Sequence, residues 1–457
     1  MEQEKRKKLE KIFEHILKEV KPDELEVKSI IAHANEIIER LKSIVPHDVE
    51  LRIVGSIARS TNLAGDADID IFMLFDKKYS EQELERLGLD YAKRIVKKDK
   101  NESYEVKYAE HPYTRLHLND MGIDVDLVPA YKITSAEELG TTVDRSPLHT
   151  EFLNAHLTDE QRDQIRILKF FLKMHHIYGA EVKVKGFSGY LSELLVYTFG
   201  SLIDLFENAS KFKLPLVIIP AEKKVVNDES IAKRFNSQFV VIDPVDKNRN
   251  VAAGTSIESL AKFVLLSRQV ISKPSLKLFY GKSFSSTEAP KLLKKFENDS
   301  GLKPLLIYLK VPDKSDDIIW PQLNKAGRIL LDLLAKEEFK ACIFNSWIEK
   351  GNGFLLYFFP NDLSKAKLFK GPDVFLGEYS NSFVEAHKNA FGIIVNNTQL
   401  FALEKREKLE ELIKKLLKKK ELNGSADIKM KSAKVLNRIP KRFAESAYLA
   451  LIEKISL

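Results

Sequence analysis

Residues 68–75 constrain the fold more than any other part of this sequence, because acidic and apolar residues alternate over the first four and an apolar run follows. Side chains two positions apart on a strand point to the same face. Asp68 and Asp70 are therefore expected on one face, while Ile69 and Ile71 turn toward a core. Two carboxylates held this close repel each other unless a cation lies between them, and their hard oxygen atoms suit Mg²⁺.

A glycine-serine turn precedes this strand. Residues 51–54 are predicted as a short strand, and Gly55-Ser56 follows at its end. Such a turn can offer a backbone N–H and a hydroxyl to a phosphate oxygen. If that phosphate belongs to a nucleoside triphosphate, Arg59 can add a charge-assisted contact to the same triphosphate.

A third carboxylate is expected from a neighbouring strand at residues 123–128, which we predict to end at Pro129 because proline cannot extend a central ladder. Asp124 and Asp126 share one face of this strand. A D-x-D pair alone is usually a solvated strand end, and a Gly-Ser turn alone is a weaker signal still. Together, however, three carboxylates and a phosphate-binding turn favour a two-metal phosphoryl-transfer site.

The length and the periodicity of the chain predict a multidomain α+β protein. The 457 residues are too many for one core and suggest roughly three domains. Helices are predicted within residues 1–45 and at 161–178, 256–271, 320–335 and 403–422. Strands are predicted at 304–311 and 353–360, and the boundaries fall near residues 150 and 272.

Composition excludes several classes of protein. No apolar run reaches the roughly 20 residues that a membrane span needs, and the charged N-terminus lacks the apolar stretch of a signal peptide. Cys342 is the only cysteine, which excludes internal disulfides and multi-thiolate metal sites. A reducing, cytoplasmic location fits this cysteine content. The net charge of +7 is modest, so its distribution matters more than its total.

Residues 161–178 carry one apolar face and one basic face. Ile165, Leu168 and Leu172 mark the apolar face. The cations follow helical spacing and share one stripe; they are Arg162, Arg166, Lys169 and Lys173.

At these residues the sequence resembles the nucleotidyltransferase superfamily that includes DNA polymerase β, and more closely the archaeal, class I CCA-adding enzymes. The resemblance is strong over residues 1–270, and over the rest of the chain it is one of size and character more than of motif. Further stretches match the family. They are His111-Pro112-Tyr113 and residues 143–149, 183–191 and 243–253.

The resemblance implies a role for each matching residue. Asp68, Asp70 and Asp126 would be the catalytic carboxylates and would bind two Mg²⁺ ions. Asp124 would not bind the metals directly and would instead support the metal ligands or the local structure. Arg249 would help to read the incoming base together with Asp126. The implied nucleotide-binding residues are Ser56, Arg59, His149, Lys169, Tyr178 and Arg249. Asn248 departs from the family pattern, where a second basic residue is common, so a minor contact is in doubt.

The resemblance also implies the reaction and the architecture. The reaction is template-independent addition of CCA to the 3′ end of tRNA from CTP and ATP, with release of pyrophosphate. Residues 1–150 would form a polymerase β-like catalytic head, residues 151–272 a helical central nucleotide-binding domain, and residues 273–457 an α/β C-terminal body and tail that bind tRNA. A homodimer is compatible with the family.

Alternative interpretations stay open at this point. Taken alone, His149 could be structural, Lys169 a solvated helix face, Tyr178 core packing and Arg249 half of a salt bridge. The chain could also be a poly(A) polymerase-like enzyme or could modify a small molecule, against which residues 143–147 and 243–247 argue. The chain could also be a non-catalytic RNA-binding relative. The presence of all three carboxylates argues against this, because RNA binding alone does not require them.

The C-terminal region offers candidate RNA contacts. An apolar stripe at residues 409–417 accompanies a run of basic side chains, which would suit the phosphates of a tRNA acceptor arm. These cations are Lys414, Lys415, Lys418, Lys419, Lys420, Lys429, Lys431, Lys434, Arg438, Lys441 and Arg442.

Overall fold

The structure is a computed structural model that describes residues 2–66, 68–108, 112–281, 285–360, 366–425 and 427–454. The chain forms two compact units, residues 1–281 and residues 282–456. Both units contain helices and sheets, as the predicted α+β class requires. Among the helices of the described ranges, none is long and apolar enough to cross a membrane.

The first unit contains eleven helices and eight strands within its described residues. The helices are α1 Gln3–Val20, α2 Glu24–Lys42, α3 Gly55–Ala58, α4 Glu81–Arg94, α5 Arg145–His156, α6 Asp159–Met174, α7 Gly189–Phe199, α8 Leu202–Ala209, α9 Glu229–Arg234, α10 Ile257–Ser272 and α11 Leu276–Tyr280. The strands are β1 Glu50–Val54, β2 Ile69–Phe75, β3 Glu102–Tyr108, β4 Pro112–Leu118, β5 Ile123–Tyr131, β6 Leu216–Ile219, β7 Lys224–Val226 and β8 Phe239–Val241.

A five-stranded sheet in the order β1-β2-β5-β4-β3 carries the acidic residues. Only the β2–β5 pair is parallel among these neighbours, and its register aligns Asp70 with Asp126. Ile69 and Ile71 are fully buried, in agreement with the predicted alternation. They join a core with side chains of α2 and α4 on one face of the sheet. The acidic pair is therefore directed to the opposite face.

The prediction that β5 ends at Pro129 is wrong, because the strand continues to Tyr131. On one side, β4 pairs with β5 only as far as Leu127, while on the other side β2 pairs with it to the end. Among the described residues no strand pairs with this side of β5 beyond Leu127, and an unpaired edge tolerates a proline that donates no hydrogen bond.

A helical core completes the first unit. Leu9, Phe13 and Ile16 of α1 pack into the same cluster as Leu168 and Phe171 of α6. Helix α6 begins at a capping box formed by Thr158 and Gln161 and ends at Met174, before Tyr178. The predicted helix is therefore confirmed for its main part, but Tyr178 lies in an irregular segment that pairs with Phe187.

Within its described residues the second unit has two sheets, in the orders β10-β11-β9-β15 and β12-β14-β13. Its helices are α12 Ala289–Ser300, α13 Asp316–Lys336, α14 Gly377–Ala386, α15 Leu409–Leu416 and α16 Ala444–Ile452. Its strands are β9 Leu302–Lys310, β10 Ile343–Glu349, β11 Asn352–Pro360, β12 Ala366–Asp373, β13 Gly392–Asn396, β14 Gln399–Lys405 and β15 Lys434–Leu436. The strands predicted at 304–311 and 353–360 are confirmed.

The helix predicted at residues 403–422 is wrong at both ends. Residues 403–405 belong to β14, the α-helix spans only Leu409–Leu416, and Lys420–Leu422 form a separate 3₁₀ turn. The apolar stripe is nevertheless buried, because Leu412, Ile413 and Leu416 pack into the core of the larger sheet. Pairing of β14 with both β12 and β13 outweighs the helical periodicity of residues 403–408.

Candidate functional site

A cleft of about 320 Å³ opens on the acidic face of the five-stranded sheet. It lies between the ends of β1, β2 and β5 on one side and α5 and α7 on the other. The lining residues include five of the predicted site or turn residues, namely Gly55, Arg59, Asp70, Asp126 and His149. Ser146 and Tyr190 also line it.

The three predicted carboxylates are neighbours in this part of the molecule. Asp70 and Asp126 are aligned on paired strands, and Asp68 precedes β2 on the surface. Desolvation first, and the Asp126 carboxylate second, raise the pKa of Asp70 to about 7. Desolvation also raises the pKa of Asp68, with Asp126 among the carboxylates that contribute. The carboxylates therefore repel one another here, and a cation between them would relieve that repulsion.

Arg115 of β4 supplies a cation that the sequence interpretation missed. Its Nε and one terminal nitrogen each donate to a different carboxylate oxygen of Asp126, both at 2.7 Å. The neighbouring Asp124 is bonded instead to His117 Nδ1, at 2.7 Å. Both carboxylates of β5 therefore have a partner on β4, and Asp126 is the one that also lines the cleft. Period-two spacing of Arg115 and His117 along residues 112–118 was the available signal.

The donor set fits a hard divalent cation. Within the described ranges no group of three or more His, Cys, Asp or Glu side chains is already arranged to hold a metal ion. No described residue donates a hydrogen bond to the Asp70 carboxylate, and each Asp126 oxygen keeps a second lone pair beyond the one that Arg115 uses. Oxygen ligands from Asp68, Asp70 and Asp126 match the preference of Mg²⁺, which keeps several waters and needs few protein ligands.

Gly55 lets the turn after β1 approach the Asp70 carboxylate. Its φ of +74° lies in the left-handed region, and a Cβ at this position would overlap the Asp70 Oδ2 atom. Glycine is the residue that adopts this conformation without steric cost. Ser56 follows in the short helix α3, where its carbonyl accepts a hydrogen bond from the Thr61 N–H at 2.9 Å.

Arg59 and Lys169 converge on one buried carboxylate. Glu193 of α7 is fully buried and accepts from Arg59 Nε at 2.9 Å and from Lys169 Nζ at 3.1 Å. Thr61 also donates to it. Burial would raise the pKa of Glu193, but the Arg59 guanidinium and the Lys169 ammonium lower it to about 2. Glu193 is the charged residue of an otherwise apolar helix, a signal that could have identified it from the sequence.

His149 and Arg249 meet at a second buried carboxylate. Asp243 lies 2.8 Å from His149 Nε2 and accepts from an Arg249 terminal nitrogen at 2.8 Å and from the Tyr190 hydroxyl at 3.2 Å. The Tyr190 ring stacks on His149 with centroids 3.9 Å apart. Burial lowers the pKa of His149 although Asp243 opposes that shift. Asp243 thus brings together two predicted nucleotide-binding residues, and Arg249 forms the salt bridge that the sequence left open as an alternative.

Tyr178 and Lys169 flank Gly189. A side chain at Gly189 would meet the Tyr178 hydroxyl at 3.2 Å and the Lys169 ammonium at 3.8 Å. Burial raises the pKa of Tyr178, so its hydroxyl stays protonated. His111, which belongs to one of the matching sequence stretches, lies outside the described residues.

Comparison with known protein families covers most of the chain. Residues 34–149 match a family model described as a nucleotidyltransferase domain, residues 163–280 match the second domain of tRNA nucleotidyltransferase, and residues 300–430 match the C-terminal domain of CCA-adding enzyme. The first of these confirms the predicted polymerase β-like head. Among solved structures the chain is similar to a Cid1 poly(U) polymerase with Mg and 3′-dATP bound, at a TM-score of 0.48 and 16% identity over 59% of this chain and 97% of that one.

Curated relatives agree with the family models along nearly the whole chain. A CCA-adding enzyme of Methanocaldococcus jannaschii is 38% identical over 87% of this chain and 88% of its own length. The enzyme of Archaeoglobus fulgidus is 39% identical over 73% and 71%, and that of Thermococcus gammatolerans 34% identical over 97% and 98%. The chain therefore belongs to the archaeal, class I CCA-adding enzymes, a family of tRNA nucleotidyltransferases.

Proposed function

We propose that this chain adds C, C and A to the 3′ end of tRNA from CTP and ATP, and that it does so at the cleft beside β2 and β5. One observation carries the assignment to this cleft: Asp70 and Asp126 are aligned on parallel strands beside the Gly55 turn. In a member of this family, that arrangement supplies carboxylates for metal ions and a phosphate-binding turn within one cavity.

Asp68, Asp70 and Asp126 would hold two Mg²⁺ ions. When bound, these ions would supply positive charge to the attacking hydroxyl and to the leaving pyrophosphate. The tRNA 3′-hydroxyl attacks the α-phosphate, a new P–O bond to the tRNA forms, the bond to pyrophosphate breaks, and the hydroxyl proton leaves to solvent. Arg115 orients Asp126 for this role through its two hydrogen bonds.

The remaining side chains would bind and orient the nucleoside triphosphate. Ser56 and Arg59 would contact its phosphates, with His149, Lys169 and Tyr178 completing the pocket. Arg249 would read the base, since guanidinium donors pair with acceptors on both cytosine and adenine. The Glu193 and Asp243 carboxylates fix several of these groups before substrate arrives, which reduces the entropy lost on binding.

The domain roles follow from the same assignment. Residues 1–150 would perform catalysis, residues 151–272 would complete the nucleotide site, and residues 273–457 would bind tRNA. The basic side chains of the last region support this role, because Lys414, Lys415, Lys418, Lys419 and Lys420 are all exposed.

Incorporation of labelled CTP and ATP into a tRNA that lacks its terminal CCA tests the proposal. We expect two C residues and then one A, dependent on Mg²⁺, and no incorporation of GTP or UTP. Asp70→Asn should reduce the rate by roughly a thousandfold while tRNA binding persists. Asp76→Asn, which alters a surface carboxylate just after β2, is the matched control.

Two results would contradict the proposal. Open-ended addition of A to RNAs other than tRNA would favour a poly(A) polymerase-like enzyme. Full activity of Asp70→Asn would contradict the assignment of the cleft while leaving the family membership intact.

A further inference from the structure

All four cations of α6 contact one loop of the catalytic head. This loop, residues 59–66, joins the Gly55 turn to the start of β2. Arg162, Arg166, Lys169 and Lys173 lie on a single stripe of the helix, and each of them contacts this loop. The cations of the predicted basic face therefore bind another segment of the same chain.

Three of the cations bind four consecutive backbone carbonyls of the loop. Arg162 donates to the Arg59 carbonyl. Arg166 donates to the Ser60 carbonyl at 2.6 Å and to the Asn62 carbonyl at 3.0 Å. The Lys169 ammonium reaches the carbonyl of the residue between them, Thr61, at 3.1 Å.

The fourth cation holds the far end of the loop. Lys173 contacts the Asp66 carboxylate, two positions before Asp68. The interior of the stripe is shielded from water, since Arg166 is 6% exposed and Lys169 is 3% exposed. Charge-assisted hydrogen bonds of this kind are stronger than neutral ones, and more so away from solvent.

The loop has an irregular backbone that needs such support. Ser60 has a φ of +51°, in the left-handed region that is costly for a residue with a side chain. The loop belongs to no sheet except for one isolated bridge between Leu63 and Asp66. The carbonyls of residues 59–62 accept hydrogen bonds from α6, so over these four residues the helix takes the place of a neighbouring strand as hydrogen-bonding partner.

We propose that the cationic stripe of α6 is a positioning device that fixes loop 59–66 and thereby the location of Asp68 and Asp70. Arg166 is its central positioning residue, because it alone binds two of the four carbonyls. The device joins the helical part of the first unit to the carboxylates of the sheet. This inference rests on the proposed metal-binding role of those carboxylates.

Two measurements on the full-length protein test the device. Hydrogen–deuterium exchange reports the mobility of the amides in residues 60–66, and calorimetric titration with Mn²⁺, without nucleotide or tRNA, reports the metal site. In Arg166→Gln we expect those amides to exchange about tenfold faster and the Mn²⁺ dissociation constant to rise about tenfold. Arg166→Lys should recover part of both effects, because lysine, unlike glutamine, keeps the positive charge that strengthens a hydrogen bond to a carbonyl.

Arg268→Gln is the matched control. Arg268 Nε donates to the Ser210 carbonyl at 2.9 Å, which is the same kind of bond in the same unit but away from the loop. This variant should leave both measurements unchanged. If Arg166→Gln does not fold, Lys173→Gln takes its place, because the contact of Lys173 with Asp66 lies near the surface.

The outcomes separate this inference from the proposed function. Variants that fold and keep the wild-type exchange rates and Mn²⁺ affinity would overturn the positioning device alone. Faster exchange with unchanged Mn²⁺ affinity would also overturn it, because the loop would then not act on the carboxylates. A wild-type protein that binds no Mn²⁺ would contradict the metal site itself, and the inference with it.

Discussion

Arg115 and Asp126 form a two-pronged ion pair across β4 and β5, with both hydrogen bonds at 2.7 Å. The planar guanidinium fixes the plane of the carboxylate as well as its charge. We expect Arg115→Met to lower kcat or the apparent Mg²⁺ affinity by about 10- to 100-fold, as loss of a partner of a metal ligand generally does. Initial rates of CTP incorporation across a Mg²⁺ series measure both quantities.

Arg115→Lys separates geometry from charge. Lysine keeps the positive charge but cannot form two parallel hydrogen bonds. We therefore expect it to remain nearly as impaired as Arg115→Met. Recovery to the wild-type rate would show that the charge of Arg115 matters and the orientation of Asp126 does not.

Gly55→Ala should inactivate the enzyme, because its Cβ would overlap the Asp70 carboxylate. Gly122→Ala is a control in the turn between β4 and β5: Gly122 also has a positive φ, of +63°, but a Cβ there would meet nothing within 4 Å. Backbone strain of about 1 kcal/mol is expected for both variants. We expect a loss of kcat of at least about a hundredfold only at position 55, and equal activity of the two variants would refute the close approach.

Glu193→Gln should lower the free energy of unfolding at pH 7 by about 3–5 kcal/mol, because Arg59 and Lys169 would keep their charges without a buried partner. Urea denaturation of the full-length protein measures the loss. Glu229→Gln, at an exposed carboxylate of the same unit, should change stability by less than about 0.5 kcal/mol.

The lowered pKa of Glu193 predicts that the free energy of unfolding depends on pH. The pKa of Glu193 is lowered in the folded state from 4.5 to about 2. Its contribution to stability is therefore complete above pH 4.5 and is lost as the pH falls toward 2, by about 3 kcal/mol in total. The difference in unfolding free energy between wild type and Glu193→Gln should narrow from pH 5 to pH 3, whereas a constant difference would contradict the ion-pair explanation.

Asp243→Asn should weaken nucleotide binding. The substituted amide would keep the shape of the side chain but remove the charge shared by His149 and Arg249. We expect KM for CTP and for ATP to rise about tenfold, equivalent to about 1.4 kcal/mol, with a smaller change in kcat. Asp246→Asn, in the same segment but paired with Arg145, should leave both KM values nearly unchanged.

Reversing charge at Lys418 and Lys419 should weaken tRNA binding without altering the nucleotide site. Both side chains are exposed beyond the end of α15. We expect Lys418→Glu combined with Lys419→Glu to reduce tRNA affinity about tenfold and to flatten its salt dependence. Filter binding over a range of KCl concentrations measures this, and an unchanged salt dependence would exclude these lysines from the interface.

Local patterns in the sequence predicted the strands of the acidic site and most helices, because alternation and helical spacing depend on near neighbours. They failed where a distant segment decides the outcome. Residues 403–405 form part of β14 because β12 and β13 pair with it, and Pro129 is tolerated because β4 ends its pairing at Leu127.

The same limit applies to the site. Asp70 and Asp126 follow from spacing on predicted strands, but the partners that fix the site come from elsewhere in the chain. Glu193 meets Arg59 across 134 positions, and Asp243 meets His149 across 94. Contacts over such separations depend on the packing of α5, α6 and α7 around the cleft, which spacing along the chain does not encode.

The in-register pairing of Asp70 with Asp126 also limits how the length of the chain can change. Because side chains alternate between faces, inserting or deleting one residue within β2 or β5 would turn one carboxylate away from the cleft. The turn between β4 and β5, at residues 119–122, lies outside this constraint. Length variation among functional homologues should therefore collect in such turns and avoid the two central strands.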